Sequence, residues 1–201
     1  EIERKLNDVG YETVAGDVFG KMSDTQAPQG ILCVVRQPVY CLEDLLKAES
    51  PLLLLLEDLQ DPGNLGTIIR TGEAAGVTGV IMSSGTVDLF NPKTIRGTMG
   101  SVFRVPFLYV DSLPLTIGAL RQRGIHTYAA HLEGEVFYDA FSFREPTAFL
   151  VGNEGRGLAR ETADQAERYL KIPMEGKVES LNAAVAASLL MYEAHRQRSA
   201  R

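Results

Sequence analysis

The apolar and polar positions of this chain follow two alternating patterns from about residue 50 onward. Short continuous apolar runs, typical of parallel strands buried on both faces, alternate with segments whose apolar residues have helical spacing. The runs predict strands over residues 52–58, 79–84, 105–110, 126–132, 147–152 and 170–174. The intervening segments predict helices over residues 65–76, 91–104, 113–124, 159–169 and 180–198. This alternation indicates an α/β fold with a mostly parallel sheet flanked by helices.

Residues 1 to about 48 follow a different pattern. A mixed helical stretch leads to the turn-forming sequence SDTQAPQG and then to the strand-like segment ILCVVRQP, residues 31–38. These elements are too few to form a domain by themselves. We therefore expect residues 1–48 to be the tail of a domain and a linker, and residues 49–201 to be the main domain.

The composition is that of an ordinary globular protein, with 45% hydrophobic and 23% charged residues in a chain of 201. No apolar stretch reaches the roughly 18 residues needed to cross a bilayer. The first ten residues, EIERKLNDVG, lack the basic and apolar segments of a signal peptide. We therefore expect a cytoplasmic protein that does not associate with membranes.

Cysteine and histidine form no metal-binding pattern. Cys33 and Cys41 are expected to be reduced thiols. The three histidines, His126, His131 and His195, share no metal-ligand spacing with them. We expect no metal site.

The first cluster that suggests chemistry is DPGNLGTIIRTGEAAG, residues 61–76. It lies where the first strand turns into its helix, at the sheet edge where α/β proteins bind ligands. We expect Asn64 in the loop and Arg70 on the second helical turn, where a guanidinium suits a phosphate or a polarised hydroxyl. The alternative is a helix cap followed by a solvated arginine.

The second cluster is FLVGNEGRGL, residues 149–158. Glycines at the end of a strand let a backbone approach a ligand closely. The pattern is not a Walker loop, because no Lys-Ser/Thr follows, and it comes too late in the chain for the dinucleotide fingerprint. The alternative is a tight turn in which Glu154 is solvated or caps a helix.

The third cluster is IPMEGKVESLNAAVAASLL, residues 172–190. Ser180 is expected to be the N-cap of the last helix. Asn182 is an unfavourable residue inside a helix of alanine and leucine, which favours a functional role. The small residues that follow would let another backbone pack closely, within the chain or at a subunit interface.

Together and in this order, the three clusters closely resemble the signature motifs of the SpoU (TrmH) family of RNA ribose 2'-O-methyltransferases, within the SPOUT superfamily. The resemblance covers roughly residues 50–198. It implies a parallel α/β domain whose C-terminal segment forms a deep trefoil knot, and a pocket in the knot for S-adenosylmethionine. The implied cofactor contacts, chiefly through the backbone, are Gly152, Asn153, Glu154, Ile172, Met174 and Leu181.

The resemblance also implies a set of catalytic residues for attack of a ribose 2'-hydroxyl on the methyl carbon of the cofactor. Because such a hydroxyl has a very high pKa, positioning and stabilisation of the developing alkoxide should dominate. Arg70 is expected to hold the phosphate and hydroxyl of the target. Asn64, Ser180 and Asn182 are expected to orient the ribose or Arg70 itself. The implied catalytic residues are Asn64, Arg70, Glu154, Ser180 and Asn182.

The expected partners are RNA and a second copy of the chain. The net charge of −6 argues against an unassisted, non-specific nucleic-acid binder. It permits a local basic face formed by Arg70, Lys93, Arg96 and Arg104, although these residues could equally be ordinary solvated charges. The resemblance implies a homodimer whose knot helices pack together, with the RNA site built across the interface.

The N-terminal segment GDVFGKMSDTQAPQGILCVV, residues 16–35, resembles the end of a ribosomal-protein-like substrate-binding domain found in relatives. It favours ribosomal RNA as the substrate over transfer RNA. Two further alternatives are a non-catalytic RNA-binding module with this fold and a glycine-rich nucleotide-binding enzyme. Retention of Asn64, Arg70 and Asn182 argues against the former, and the absence of a Walker lysine argues against the latter.

Overall fold

The computed structural model describes residues 4, 8, 10–23 and 25–199, and the chain divides into two compact units, Glu1–Gln37 and Pro38–Arg201. In the first unit one helix is described, α1 (Gly16–Met22). Most of the helical stretch expected before residue 10 lies outside the described residues. The predicted strand over residues 31–38 is wrong: this segment is irregular, and Val34 is 94% exposed. An apolar run forms a strand only where another strand can pair with its backbone groups.

The second unit begins with a short helix, α2 (Leu42–Leu45), and contains one parallel sheet. Its strands are β1 (Leu52–Leu56), β2 (Gly79–Ser83), β3 (Phe107–Val110), β4 (His126–Ala130), β5 (Thr147–Val151) and β6 (Arg168–Leu170). The order is β3-β2-β1-β5-β4-β6, and every pairing is parallel. The predicted α/β class is therefore confirmed. The two central strands are buried along their whole length, as their continuous apolar runs predicted.

The connections between strands lie over both faces of the sheet, where two apolar cores form. The helices are α3 (Pro62–Ala75), α4 (Pro92–Thr98), α5 (Leu113–Gln122), α6 (Arg160–Ala163) and α7 (Ala183–Ser199), with 3-10 turns at Ser101–Phe103 and Tyr138–Ala140. α3 packs closely on α4 at Gly66, where a Cβ atom would lie only 2.8 Å from the carbonyl oxygen of Thr94. No helix in the described part of the chain is long and apolar enough to span a membrane.

Three predicted elements differ most from the structure in their bounds. The helix expected over residues 91–104 ends at Thr98, because Met99 and Gly100 adopt positive φ angles of 51° and 88°. The helix expected over residues 159–169 is limited to α6, because residues 168–170 pair with β4. A strand was expected over residues 170–174, but the observed strand β6 ends at Leu170, where the expected one begins. Pro173 has no N–H with which to extend the ladder.

The register of the sheet fixes where a site can form. Strands β2 and β3 lie on one side of β1, and β5, β4 and β6 lie on the other side. The direction of growth therefore changes between β1 and β5, where parallel α/β sheets commonly have a ligand crevice. Leu56 pairs with Val151, so the segments that follow these two strands begin side by side.

Candidate active site

The segment after β1 leads directly into α3. Asp61 is the N-cap, and its carboxylate accepts hydrogen bonds from the amides of Gly63 and Asn64. Pro62 occupies the first helical position, so the helix starts three residues earlier than predicted. Asn64 accordingly lies in the first helical turn and not in the loop, and Arg70 lies on the third turn and not on the second.

The segment after β5 is a closed turn built on glycines. Asn153 and Gly157 exchange two backbone hydrogen bonds with N···O distances of 3.0 and 2.9 Å. The Asn153 side chain accepts hydrogen bonds from the amides of Gly155 and Arg156. A Cβ atom on Gly152 would overlap the backbone of Gly157 and Leu158, so only glycine fits there.

The third segment, residues 171–182, runs into α7. The expected N-cap at Ser180 is wrong, because Asn182 has that role. The Asn182 side-chain oxygen accepts from the amides of Ala184 and Val185 at 2.9 and 3.3 Å, and its carbonyl accepts from Ala186. Asparagine is unfavourable inside a helix but favoured as a cap, which explains its presence before the alanines.

A hydrogen-bonded chain of side chains joins the three segments. The Asn182 amide donates to the Asn64 side-chain oxygen at 2.9 Å, and the Asn64 amide donates to a carboxylate oxygen of Glu154 at 3.0 Å. The same carboxylate accepts from the backbone amides of Gln60 and Asp61 at 3.1 and 3.0 Å. The structure therefore brings together one predicted site residue from each motif.

These contacts lower the pKa of Glu154. Partial burial tends to raise the pKa of its carboxyl group. The hydrogen bonds from Asn64 and from the amides of Asp61 and Gln60 outweigh that effect, and the pKa lies below its ordinary value. The carboxylate is ionised at neutral pH, and its oxygens accept hydrogen bonds from groups of the protein.

A cavity of about 290 Å³ lies between the glycine turn, the end of β4 and the segment before α7. Ligand pockets commonly have volumes of about 300–1,000 Å³, so this cavity lies just below the small end of that range. It includes all six residues expected to contact a cofactor, together with Ser180. These are Gly152, Asn153, Glu154, Ile172, Met174 and Leu181.

A second, more open depression of about 790 Å³ lies on the other side of the hydrogen-bonded chain. Asn64 and Asn182 are part of its wall, as are Thr67, Lys93 and Tyr138. Asp61, Gly63 and one face of α7 form the rest of the wall. Glu154 lines the cavity, Asn64 lines the depression, and the two side chains are hydrogen-bonded to each other. They would separate a ligand in the cavity from a ligand in the depression.

Arg70 is the predicted site residue that the structure does not bring to either place. Its side chain is exposed on α3, and it is not part of the wall of the cavity or of the depression. Two members of the expected basic face are close to acids: Arg104 is ion-paired with Glu73, and the Lys93 ammonium lies 3.7 Å from Asp61.

Sequence reasoning missed several residues that build the site. The backbone amides of Gln60 and Asp61 bind Glu154, and Glu57 and Asp58 contact the segment after β5. His131 and Lys171 line the cavity, but nothing in their spacing identified them. Glu57 and Asp58 could have been identified from their position, because they directly follow a buried parallel strand.

The fold and the site define a class of protein: a parallel α/β domain with a glycine-bordered ligand cavity where the direction of sheet growth changes. Its family follows from comparison with known proteins. The model of the SpoU rRNA Methylase family matches residues 51–192, and the chain belongs to this family.

Three similar proteins illustrate the range of the family. The 23S rRNA (guanosine(2553)-2'-O)-methyltransferase RlmP of Bacillus subtilis (strain 168) is 39% identical over 176 residues, which are 88% of this chain and 68% of RlmP. The SpoU methyltransferase AviRb from Streptomyces viridochromogenes, in complex with the cofactor AdoMet, is 34% identical with a TM-score of 0.75, over 80% of this chain and 66% of AviRb. The A. aeolicus TrmH/SpoU tRNA modifying enzyme is 30% identical with a TM-score of 0.68, over 78% of this chain and 80% of that one. The chain thus spans about two thirds of the length of RlmP and AviRb.

Proposed function

We propose that this protein is an S-adenosylmethionine-dependent methyltransferase that modifies a ribose 2'-hydroxyl of ribosomal RNA. The observation that carries the proposal is the cavity lined by all six expected cofactor residues and bonded through Glu154 to Asn64 and Asn182. Its wall combines main chain from the glycine turn with the apolar side chains of Ile172, Met174 and Leu181, which suits a nucleoside with polar edges and apolar faces.

In this proposal the residues of the chain act mainly by positioning. Gly152, Ile172, Met174 and Leu181 would hold the cofactor, which would supply a methyl group to the ribose oxygen. S-adenosylhomocysteine would be the leaving group, and the hydroxyl proton would pass to solvent. Glu154 has its carboxylate occupied by three donors and therefore orients Asn64 instead of acting as a base. Ser180 lines the cavity, where its hydroxyl can orient the ribose. Arg70, supplied to this site by a second copy of the chain, holds the phosphate and the developing alkoxide, since guanidinium is charged at neutral pH.

The test is replacement of Arg70 by alanine. We expect methyl transfer to ribosomal RNA to be lost, while calorimetry gives an affinity for S-adenosylmethionine close to that of the wild type, because Arg70 is not part of the cavity wall. Arg121→Ala, on α5, is the matched control and should keep full activity. Full turnover by Arg70→Ala would refute the assigned role, and failure of the wild type to bind S-adenosylmethionine would refute the function.

The choice of ribosomal RNA is supported by the similarity to RlmP, whose name specifies 23S rRNA. Transfer RNA is the second candidate, because the A. aeolicus neighbour is a tRNA modifying enzyme. Methylation assays with both RNAs as acceptors distinguish them.

A ribosomal substrate also implies a cytoplasmic role in rRNA processing. Residues 1–48 would then be the end of an RNA substrate-binding domain.

We also propose that the active unit is a homodimer. The face of α7 along the depression exposes Val185, Leu189 and Tyr192, with exposed fractions of 48%, 36% and 48%. An apolar face of this kind is typical of an interface between protein surfaces. A second copy on this face would lie close to Asn64 and Asn182, so that an Arg70 side chain could complete a site formed by both copies.

A further inference from the structure

Glu57 is a half-buried acid that none of the assigned roles uses. It is the first residue after β1, and its backbone amide extends the sheet by donating to the carbonyl of Val151 at 3.0 Å. Its carboxylate crosses to the segment that follows the glycine turn. There it accepts from the amide of Ala159 at 2.7 Å and from the hydroxyl of Thr162.

These hydrogen bonds supply half of a capping box from elsewhere in the chain, because Glu57 accepts from the amide of Ala159, the N-cap residue of α6. Ala159 is the N-cap residue of α6 and has no side chain that could accept a hydrogen bond from the first amides. Thr162 is only 2% exposed, so a donor left without a partner there would not be solvated. Glu57, from a different part of the chain, therefore fixes the start of α6.

Side chains of the segment after β5 also form hydrogen bonds with the segment after β1. Glu154 reaches from the glycine turn to the amides of Gln60 and Asp61, and the Asn153 side chain donates to the carbonyl of Asp58 at 2.8 Å. The turn over residues 152–158 is consequently held at its middle by its own side chains. At its far end it is held by Glu57, because Ala159 follows it directly.

We propose that Glu57 is a positioning residue for S-adenosylmethionine binding: by holding Ala159 and Thr162, it keeps the turn over residues 152–158 in the conformation that lines the cavity. The ligand named here rests on the proposed function. When the carboxylate is removed, the end of the turn is released and a smaller fraction of molecules has the binding conformation. Apparent affinity falls in proportion to that fraction.

The experiment compares Glu57→Ala, Glu57→Gln, Thr162→Val and the double variant Glu57→Ala/Thr162→Val in the complete chain. Calorimetry measures the Kd for S-adenosylmethionine, and thermal unfolding monitors the fold. We expect Glu57→Ala to raise Kd about tenfold, the scale set by two lost hydrogen bonds. Glu57→Gln should stay within about threefold, since its oxygen can accept from Ala159 and its amide can donate to Thr162.

Two features of the design separate positioning from general destabilisation. The double variant should bind no more weakly than Glu57→Ala, because Thr162 acts only through Glu57 and its contact is already lost in that variant. Glu161→Gln, an exposed acid on the same helix, is the matched control and should bind like the wild type. Wild-type affinity in Glu57→Ala, or additive losses in the double variant, would overturn the proposal. If Glu57→Ala does not fold, unchanged affinity in Thr162→Val overturns it equally.

Hydrogen exchange without any ligand tests the proposal independently of the proposed function. The amides of Asn153, Gly155 and Gly157 are bonded within the turn and should exchange faster in Glu57→Ala than in Glu161→Gln. Unchanged exchange would refute the role of Glu57. Faster exchange, combined with a wild-type chain that does not bind S-adenosylmethionine, would refute only the proposed function.

Discussion

At the scale of single residues, the contacts of Glu154 explain why a carboxylate occurs among glycines that border a ligand cavity. Two backbone amides and the Asn64 side chain converge on it from the segment after β1. An ionised carboxylate offers only acceptors, so it can receive all three donors at once. The glycines shape the turn, and the acid connects that turn to the first motif.

We expect Glu154→Gln to weaken S-adenosylmethionine binding about tenfold at neutral pH, because the amide nitrogen of glutamine cannot accept from a backbone N–H. Calorimetry is the measurement, with Glu161→Gln as the control of equal charge change. An unchanged affinity would show that the turn does not depend on these bonds.

The same residue should give the protein a pH dependence of known sign. The pKa of Glu154 in the folded protein lies below its ordinary value of 4.5. Its stabilising contribution is therefore complete above that value and is lost as the pH falls through the folded pKa. The free energy of unfolding of the wild type should fall more steeply below pH 4.5 than that of Glu154→Gln.

At the scale of elements, the end of α7 connects the last helix to the beginning of the sheet. The Gln197 side chain accepts from the amide of Phe143 at 2.7 Å and donates to the carbonyl of Phe141 at 2.9 Å. The Arg198 guanidinium donates to the carbonyls of four residues, and burial lowers its pKa. The four are Ser50, Pro51, Phe143 and Glu145.

We expect Arg198→Ala to lower the free energy of unfolding by about 3 kcal/mol, since four carbonyls, three of them partly buried, lose charge-assisted donors. Urea unfolding is the measurement. Arg196→Ala, which removes an ion pair between an exposed guanidinium and the largely buried side chain of Glu193, should cost less, about 1 kcal/mol. Equal effects of the two variants would contradict the proposed importance of the Arg198 contacts.

At the scale of the whole molecule, the exposed apolar face of α7 gives the homodimer proposal a direct test. Leu189→Glu places a charge within that face and should convert the dimer to a monomer in sedimentation velocity experiments. Leu115→Glu, at a position on α5 that is 77% exposed, is the matched control and should leave the mass unchanged. A monomeric wild type would contradict the proposal.

The sequence alone was sufficient for the order and type of most elements and for the family. Continuous apolar runs such as residues 52–56 form strands buried on both faces, because their pattern suits no half-exposed environment. Seven of the residues that line the cavity were also predicted, but from resemblance: no spacing rule brings residue 152 next to residue 174. The trefoil knot implied by that resemblance stays a prediction.

Long-range contacts determined what local patterns could not. Residues 159–169 have helical periodicity, yet their end pairs with β4 as a strand, because a ladder with a neighbouring strand outweighs weak local preference. Asn182 caps α7 while it binds Asn64, a partner 118 positions away in the chain. Glu57 and Glu154 likewise find their donors only where β1 and β5 end side by side. Sequence specifies which groups need partners, and tertiary structure decides which partners they obtain, because hydrogen bonds depend on distance in space and not along the chain.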